Sequence, residues 1–260
     1  MTMELFWAWA HFAGKTVSPI FGWPGFTYDM FDADWMHTVD LGATLVVLGN
    51  MFLDFFYSLG GHHDRPVERA EALGKILNMV KCASHCLGVD VPIWDLSMGM
   101  ISSQASDFPV LKLKAGEARH MVPVCSFMAH NFFPVSSDYE KLRLQMFEQL
   151  HHCYKQLDAF DPDQMGFHAR CFNLLYNQLN RDALANNPRS VRWRIYPKFH
   201  LMIHICESSE NPSNTWNYMD ESAIGEAAFA AERCKTDQMH RSLVQNYRIH
   251  EFGPSASRGE

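Results

Sequence analysis

The sequence predicts a mainly α-helical fold, an irregular multi-helix bundle. Apolar residues recur at helical spacing over long stretches, most clearly at Leu142, Leu144, Phe147, Leu150, Tyr154 and Leu157. Helix punctuation brackets several such stretches, with proline in a first turn and glycine just past a last turn. Strand-like alternation is confined to Leu111-Lys112-Leu113-Lys114, at most a brief strand. Of 260 residues, 47% are hydrophobic and 13% aromatic. That is enough to bury a sizeable core, so disorder is expected only at the ends.

The elements follow in order. Residues 1–17 are an aromatic lead-in with Trp7, Trp9 and Phe12, and 18–33 read as loop around Pro19 and Pro24. A long helix is expected from Thr38 to Leu59, stopped by Gly60-Gly61. Asp34 at its mouth is placed to cap it, and His37, three residues on, to share its face. A second helix runs from Pro66 to Leu87, with Gly88 as its stop. Trp94 to Ile101 reads as a short helix, and 115–132 as a longer one that Pro123 kinks or begins anew. Ser137 or Asp138 caps a helix that extends to Phe160 and ends at Asp161-Pro162-Asp163. Met165 to Ala185 is the antiparallel return. Arg189 to Glu207 is less regular, basic first and apolar later; 220–234 and 238–250 are further helices.

Composition excludes some functions. A net charge of −7 argues against a freestanding, non-specific nucleic-acid binder, which needs a basic surface to displace counterions. Seven scattered cysteines form no disulfide framework, so reduced thiols and an intracellular location, nucleus or cytoplasm, are expected. The apolar N-terminus lacks a basic n-region and carries Glu4, so no secretion signal is expected. The most apolar window, Leu41 to Tyr57, contains Asn50 and Asp54 and is short, so a buried helix rather than a membrane span is expected. No Gly-rich phosphate loop, Gly-x-Ser-x-Gly elbow or Cys-x-x-Cys pair is present.

Three stretches carry a resemblance. They are Pro19-Ile20-Phe21-Gly22-Trp23-Pro24-Gly25 followed by Asp34-Trp35-Met36-His37-Thr38-Val39-Asp40-Leu41-Gly42; Lys114-Ala115-Gly116-Glu117-Ala118-Arg119-His120; and Pro197-Lys198-Phe199-His200 running on to Tyr218-Met219-Asp220-Glu221. In this order they resemble open reading frames of the eukaryotic DDE/D cut-and-paste transposases, whose core is RNase H-like. Asp34 and His37 match that group's Cys-or-Asp, two residues, His signature. The resemblance implies a single helical domain over 1–252: a lead-in 1–33, an insertion-like bundle 34–187 and C-terminal helices 188–252. It adds a few short strands left from the RNase H-like core, while the Gly/Ser/Pro-rich composition of 253–260 predicts a disordered tail. It also implies a third catalytic acid at Glu221, with Asp220 or Glu226 as alternatives, and Mg²⁺ or Mn²⁺ as the ions of a complete transposase. Before Asp34 the acids are Glu4, Asp29 and Asp32, none in a strand-like setting. One acid cannot hold two metals, so no cofactor and no independent catalysis are expected of the chain alone.

Other residues have chemistry of their own. Arg189, Arg192, Arg194 and Lys198 alternate with Trp193 and Tyr196, a pattern for phosphate contacts and base stacking on DNA, or for a solvated basic face over a core aromatic. His200, His204 and Glu207 share one helix face, an acceptable zinc geometry, although a buried or partner-facing histidine pair is the better reading. Cys82 and Cys86 flank His85, and buried thiols are expected there. His62-His63 and His151-His152 point apart on a helix. The leading functional reading is thus a transposase-derived fragment that contacts DNA or protein, its partner including a catalytic half. The alternatives are a helical interaction protein within a larger assembly and, least favoured, a metal-dependent hydrolase.

Overall fold

The computed structural model describes residues 33–214 apart from 92, 94, 103, 105 and 134, together with 216 and 218. Helices dominate, and among the described residues no strand occurs. α1 is the continuous helix Met36–Ser58, whose first nine residues, Met36–Thr44, are π-helical. α2 spans Pro66–Leu87, α3 Met98–Ile101, α4 Ala115–Asn131, α5 Asp138–Gln156, α6 Pro162–Asn186 and α7 Pro197–Cys206, followed by a 3₁₀ turn at Pro212–Asn214.

Local chemistry sets most boundaries. Pro66 opens α2, and Gly88, at φ +64°, closes it in the left-handed conformation that glycine adopts without penalty. Ser137 and Glu140 form a reciprocal capping box at the start of α5. Those bonds, led by the Ser137 and Ser136 backbone amides, pull the Glu140 carboxyl down to about 2. Asp161 accepts from the amides of Asp163 and Gln164 and so caps α6. Asp161-Pro162-Asp163 therefore begins the return helix, ahead of the Met165 start expected.

Packing explains the other departures. Pro123 does not begin α4 anew, since α4 is continuous through it. An interior proline loses one ladder bond and costs about 3 kcal/mol. Buried Met121, Val122, Val124 and Cys125 on either side supply the offsetting packing. Residues 111–114 form no strand, and the Leu113 amide turns back to the Leu111 carbonyl. The Leu111 amide instead donates to the Leu45 carbonyl, and Lys112 to Met100. Within 189–207, α7 forms with Phe199, Met202, Ile205 and Cys206 on its buried side, and the helices expected at 220–234 and 238–250 lie outside the described residues.

α1 is the axis. Its π-helical half packs against α4 and α7, and its α-helical half against α2, α3 and α4. α5 and α6 form an antiparallel pair, α5 lies on α4, and α7 on α6. By length and composition α1 is apolar enough to cross a bilayer, yet 89% of that window is buried inside the protein. Its buried Asp54 and Asn50 are both partnered. Asp54 accepts from Arg143 Nη1 at 2.9 Å, Arg192 Nη2 at 2.6 Å and the Tyr139 hydroxyl at 2.9 Å. The Asn50 side-chain oxygen accepts from Arg192 Nε and from the Trp193 amide. The chain divides into two compact units, Met1–Thr215 and Trp216–Glu260, a division that falls inside the single domain expected for 1–252. In the second unit the Trp216 and Tyr218 rings meet edge to face at 5.4 Å.

Gly49 shows how closely the 109–111 segment lies on α1. A Cβ there would stand 2.6 Å from the Val110 nitrogen and 2.7 Å from the Pro109 carbonyl carbon. Helix propensity alone favours alanine over glycine by about 1 kcal/mol. Gly49→Ala is nonetheless expected to destabilise the protein, lowering the urea midpoint, whereas Gly74→Ala, facing open space, raises it. A higher midpoint for Gly49→Ala would show that the segment is not seated there.

Candidate functional site

The site is built at the mouth of α1. Asp34 precedes the helix, and its carbonyl accepts from the Thr38 amide at 3.0 Å, the first bond of the ladder. Its carboxylate caps the turn: one oxygen accepts from the His37 amide at 2.9 Å and from His37 Nδ1 at 2.6 Å. A carboxylate on Nδ1 selects the tautomer whose Nε2 carries the lone pair, so His37 is oriented as an acceptor or base. The His37 side chain is 55% exposed and that of Asp34 10%.

The wide π turn brings the next groups in. Asp40 is fully buried and accepts from Trp35 Nε1 at 3.2 Å and from the Tyr154 hydroxyl, which also contacts Thr44 Oγ1 at 2.7 Å. π-helical turns are rare and recur at functional sites. From 161 positions along the chain, Lys198 Nζ donates to the His37 carbonyl at 2.7 Å. Gly42 accommodates that lysine, since a Cβ there would lie 2.5 Å from Lys198 Cδ. α4 begins at the Lys114–His120 segment, where the Lys114 amide donates to the Glu117 carboxylate at 2.9 Å, and it packs on the same π-helical stretch.

The other nominated residues are placed unevenly. Asp220, Glu221 and Glu226 lie outside the described residues. Arg189 and Arg194 are exposed, with the Arg194 guanidinium 5.6 Å from the Tyr196 ring centre. Arg192 is not available to DNA. It turns inward because the buried Asp54 carboxylate and Asn50 oxygens need donors. Trp193, read as a stacking ring, is 1% exposed and donates through Nε1 to the Tyr139 hydroxyl. The basic stretch is therefore split between core and surface.

His200 and His204 come together with their Nε2 atoms 3.0 Å apart. Both are exposed, so of the buried and partner-facing alternatives for the pair the buried one is corrected. The Glu207 carboxylate is taken by Arg170 at 2.6 Å, so the three-residue zinc face is not assembled. Among the described residues no group of three or more His, Cys, Asp or Glu side chains is arranged to hold a metal. Cys82 and Cys86 are exposed rather than buried, because Ala83 and Val80 carry the inner side of α2.

A histidine array across α4, α5 and α6 escaped sequence reasoning. His130 meets Glu148 at 2.7 Å, and His152 stacks on His168 with ring centres 4.6 Å apart. His151 beside them is pushed down to about 4, chiefly by burial, then by Lys155, His152 and His130. Apart from Lys155 and His152, near neighbours of His151, these partners come from different helices, so no local spacing marks them. Comparison of the chain with protein-family models, with curated proteins and with solved structures finds no match.

Asp34→Ala removes the cap and the ring partner together and is expected to cost about 0.5–2 kcal/mol in denaturant unfolding. Asp34→Asn keeps a cap acceptor and is expected to recover most of that loss. Equal stability of the wild-type and alanine chains would contradict the capping role.

Proposed function

We propose that the chain is the helical and C-terminal part of a DDE/D-type cut-and-paste transposase, retaining contact with DNA but needing a catalytic partner for strand transfer. One observation carries this reading. Segments bearing the resemblance are far apart in sequence, His37 and Lys198 by 161 positions, yet Lys198 bonds the His37 carbonyl, and the helix that begins with the 114–120 segment packs on the same π-helical stretch. Such convergence is what a family's shared local structure would produce. The exposed Arg189 and Arg194 sit on the connection leading into that meeting point, where an acidic chain presents cations to phosphate. Catalysis by the chain alone is not part of the proposal. Two hard cations need several converging oxygens, and the resemblance supplies one acid, at Asp220 or Glu221.

A second reading, a helical interaction module, has its own support. Phe167 and Leu174 are 52% and 72% exposed and lie seven residues apart, hence on one face of α6. An assembly in which this face is covered would use the same fold without DNA.

Fluorescence anisotropy with labelled duplex DNA separates the two. The transposase reading expects binding at low salt that weakens several-fold in the double variant Arg189→Glu, Arg194→Glu. Its salt slope should fall by about 0.9 for each phosphate that is no longer neutralised. Supercoiled plasmid with Mg²⁺ or Mn²⁺ should remain unnicked. Absence of DNA binding at about 50 mM salt, where phosphate contacts are strong, would overturn the reading, and nicking that disappears in Glu221→Gln would overturn its division of labour.

A further inference from the structure

We infer that His200 and His204 form a two-point chelating site for a divalent ion that takes tetragonal nitrogen coordination, of the Cu(II) or Ni(II) class. The inference rests on geometry separate from the transposase reading. The residues are four apart on α7 and so stand one above the other on its outer face. Phe199, Met202, Ile205 and Cys206 anchor the opposite face, and Lys198 ties the first turn to the His37 carbonyl. The two Cα positions are therefore held while both rings remain in solvent.

The spacing suits such an ion once the two rings turn their lone pairs from each other toward it. The Nε2 atoms are 3.0 Å apart, with the ring planes at 80° and centres at 4.5 Å. A metal at about 2.0–2.1 Å from each nitrogen would see them at roughly 91–97°. That is the angle between neighbouring positions of a square plane or octahedron, the arrangement characteristic of Cu(II) and Ni(II). A tetrahedral ion would want the nitrogens about 3.3–3.4 Å apart at the same bond length. Glu207, held by Arg170, adds no third donor, so water completes the sphere.

The proton balance is simple. At present one ring donates its Nε2–H to the other's Nε2 lone pair. Metal entry moves that proton to Nδ1 of the same ring through solvent, leaving two neutral imidazoles with both Nε2 lone pairs on the ion. No redox step is involved, and no net proton is released by the rings.

The test is titration of the full chain with CuCl₂ in a non-chelating buffer, followed by calorimetry and by electron paramagnetic resonance. Fourteen histidines in the sequence make weak background binding certain to be measured too, so variants define the site. The expected result is one tight site carrying a two-nitrogen signature. It weakens about tenfold or more in His204→Gln and equally in His200→Gln, because either change removes the chelate advantage. The double variant should bind no more tightly than either single. Both positions are exposed, and unchanged circular dichroism of the variants checks the fold. Binding in His204→Gln that equals the wild type, or a one-nitrogen signal in the wild type, would overturn the inference.

Discussion

Asp54 lies inside the protein with two guanidinium groups on it, and the arrangement of the helices depends on that contact. Its carboxylate, 10% exposed, receives Arg143 from α5 and Arg192 from the connection between α6 and α7. Burying such charges costs several kcal/mol per ion, offset only when geometry and additional hydrogen bonds are good. Here the Tyr139 hydroxyl adds a donor to the carboxylate, and Asn50 adds two acceptors for Arg192. Burial, and then the Asp54 charge, hold the Tyr139 phenol well above its ordinary range, so it stays a donor. The cluster thereby fixes the register of α1 against two segments 89 and 138 residues away. It also accounts for Trp193, whose φ of +54° costs a non-glycine residue about 1–3 kcal/mol. The Asn50 and Tyr139 oxygens hold that residue through its amide and indole N–H groups.

The candidate site sits at the other end of the same helix. The position of α7 follows from what precedes it: Trp193 is locked against Asn50, Tyr176 donates to the Arg194 carbonyl, and Tyr176 stacks on Phe199 at 4.2 Å. Lys198 is thus delivered to the His37 carbonyl, and the Asp34–His37 pair is framed by residues from both ends of the described chain. The histidine pair on the outer face of α7 inherits the same support. Surface chemistry here is positioned by a charge cluster in the core.

Much of the fold was legible because its signals are local. α2 has the boundaries expected from Pro66 and Gly88, since each acts through its own backbone angle. α5 begins where Ser137 and Glu140 make a box. The mouth of α1 likewise follows from an Asp three residues before a histidine. What was not legible depends on partners far away in sequence. Arg192 looks like its neighbours Arg189 and Arg194 until Asp54 is placed beside it. Asn50 and Asp54, four apart in an apolar helix, did carry a usable warning: buried polar groups must find hydrogen-bond partners. The π turn and the passage of α4 through Pro123 had no local mark, because tertiary packing sustains both. Of the candidate site, the Asp34–His37 pair was readable, while its junction with Lys198 was not.

A double-mutant cycle joining Asp54 and Arg143 tests the central dependence most directly. Urea unfolding of Asp54→Ala, Arg143→Met and the double variant gives the coupling. Asp54→Ala leaves two arginines without their carboxylate and is expected to lose about 3–5 kcal/mol, and Arg143→Met, in which Asp54 keeps Arg192 and Tyr139, is expected to lose less but more than about 1 kcal/mol. The double variant should lose less than the sum of the two, with a coupling of about 1–3 kcal/mol. Single losses below about 1 kcal/mol that simply add would contradict the account and remove Asp54 from the centre of the fold.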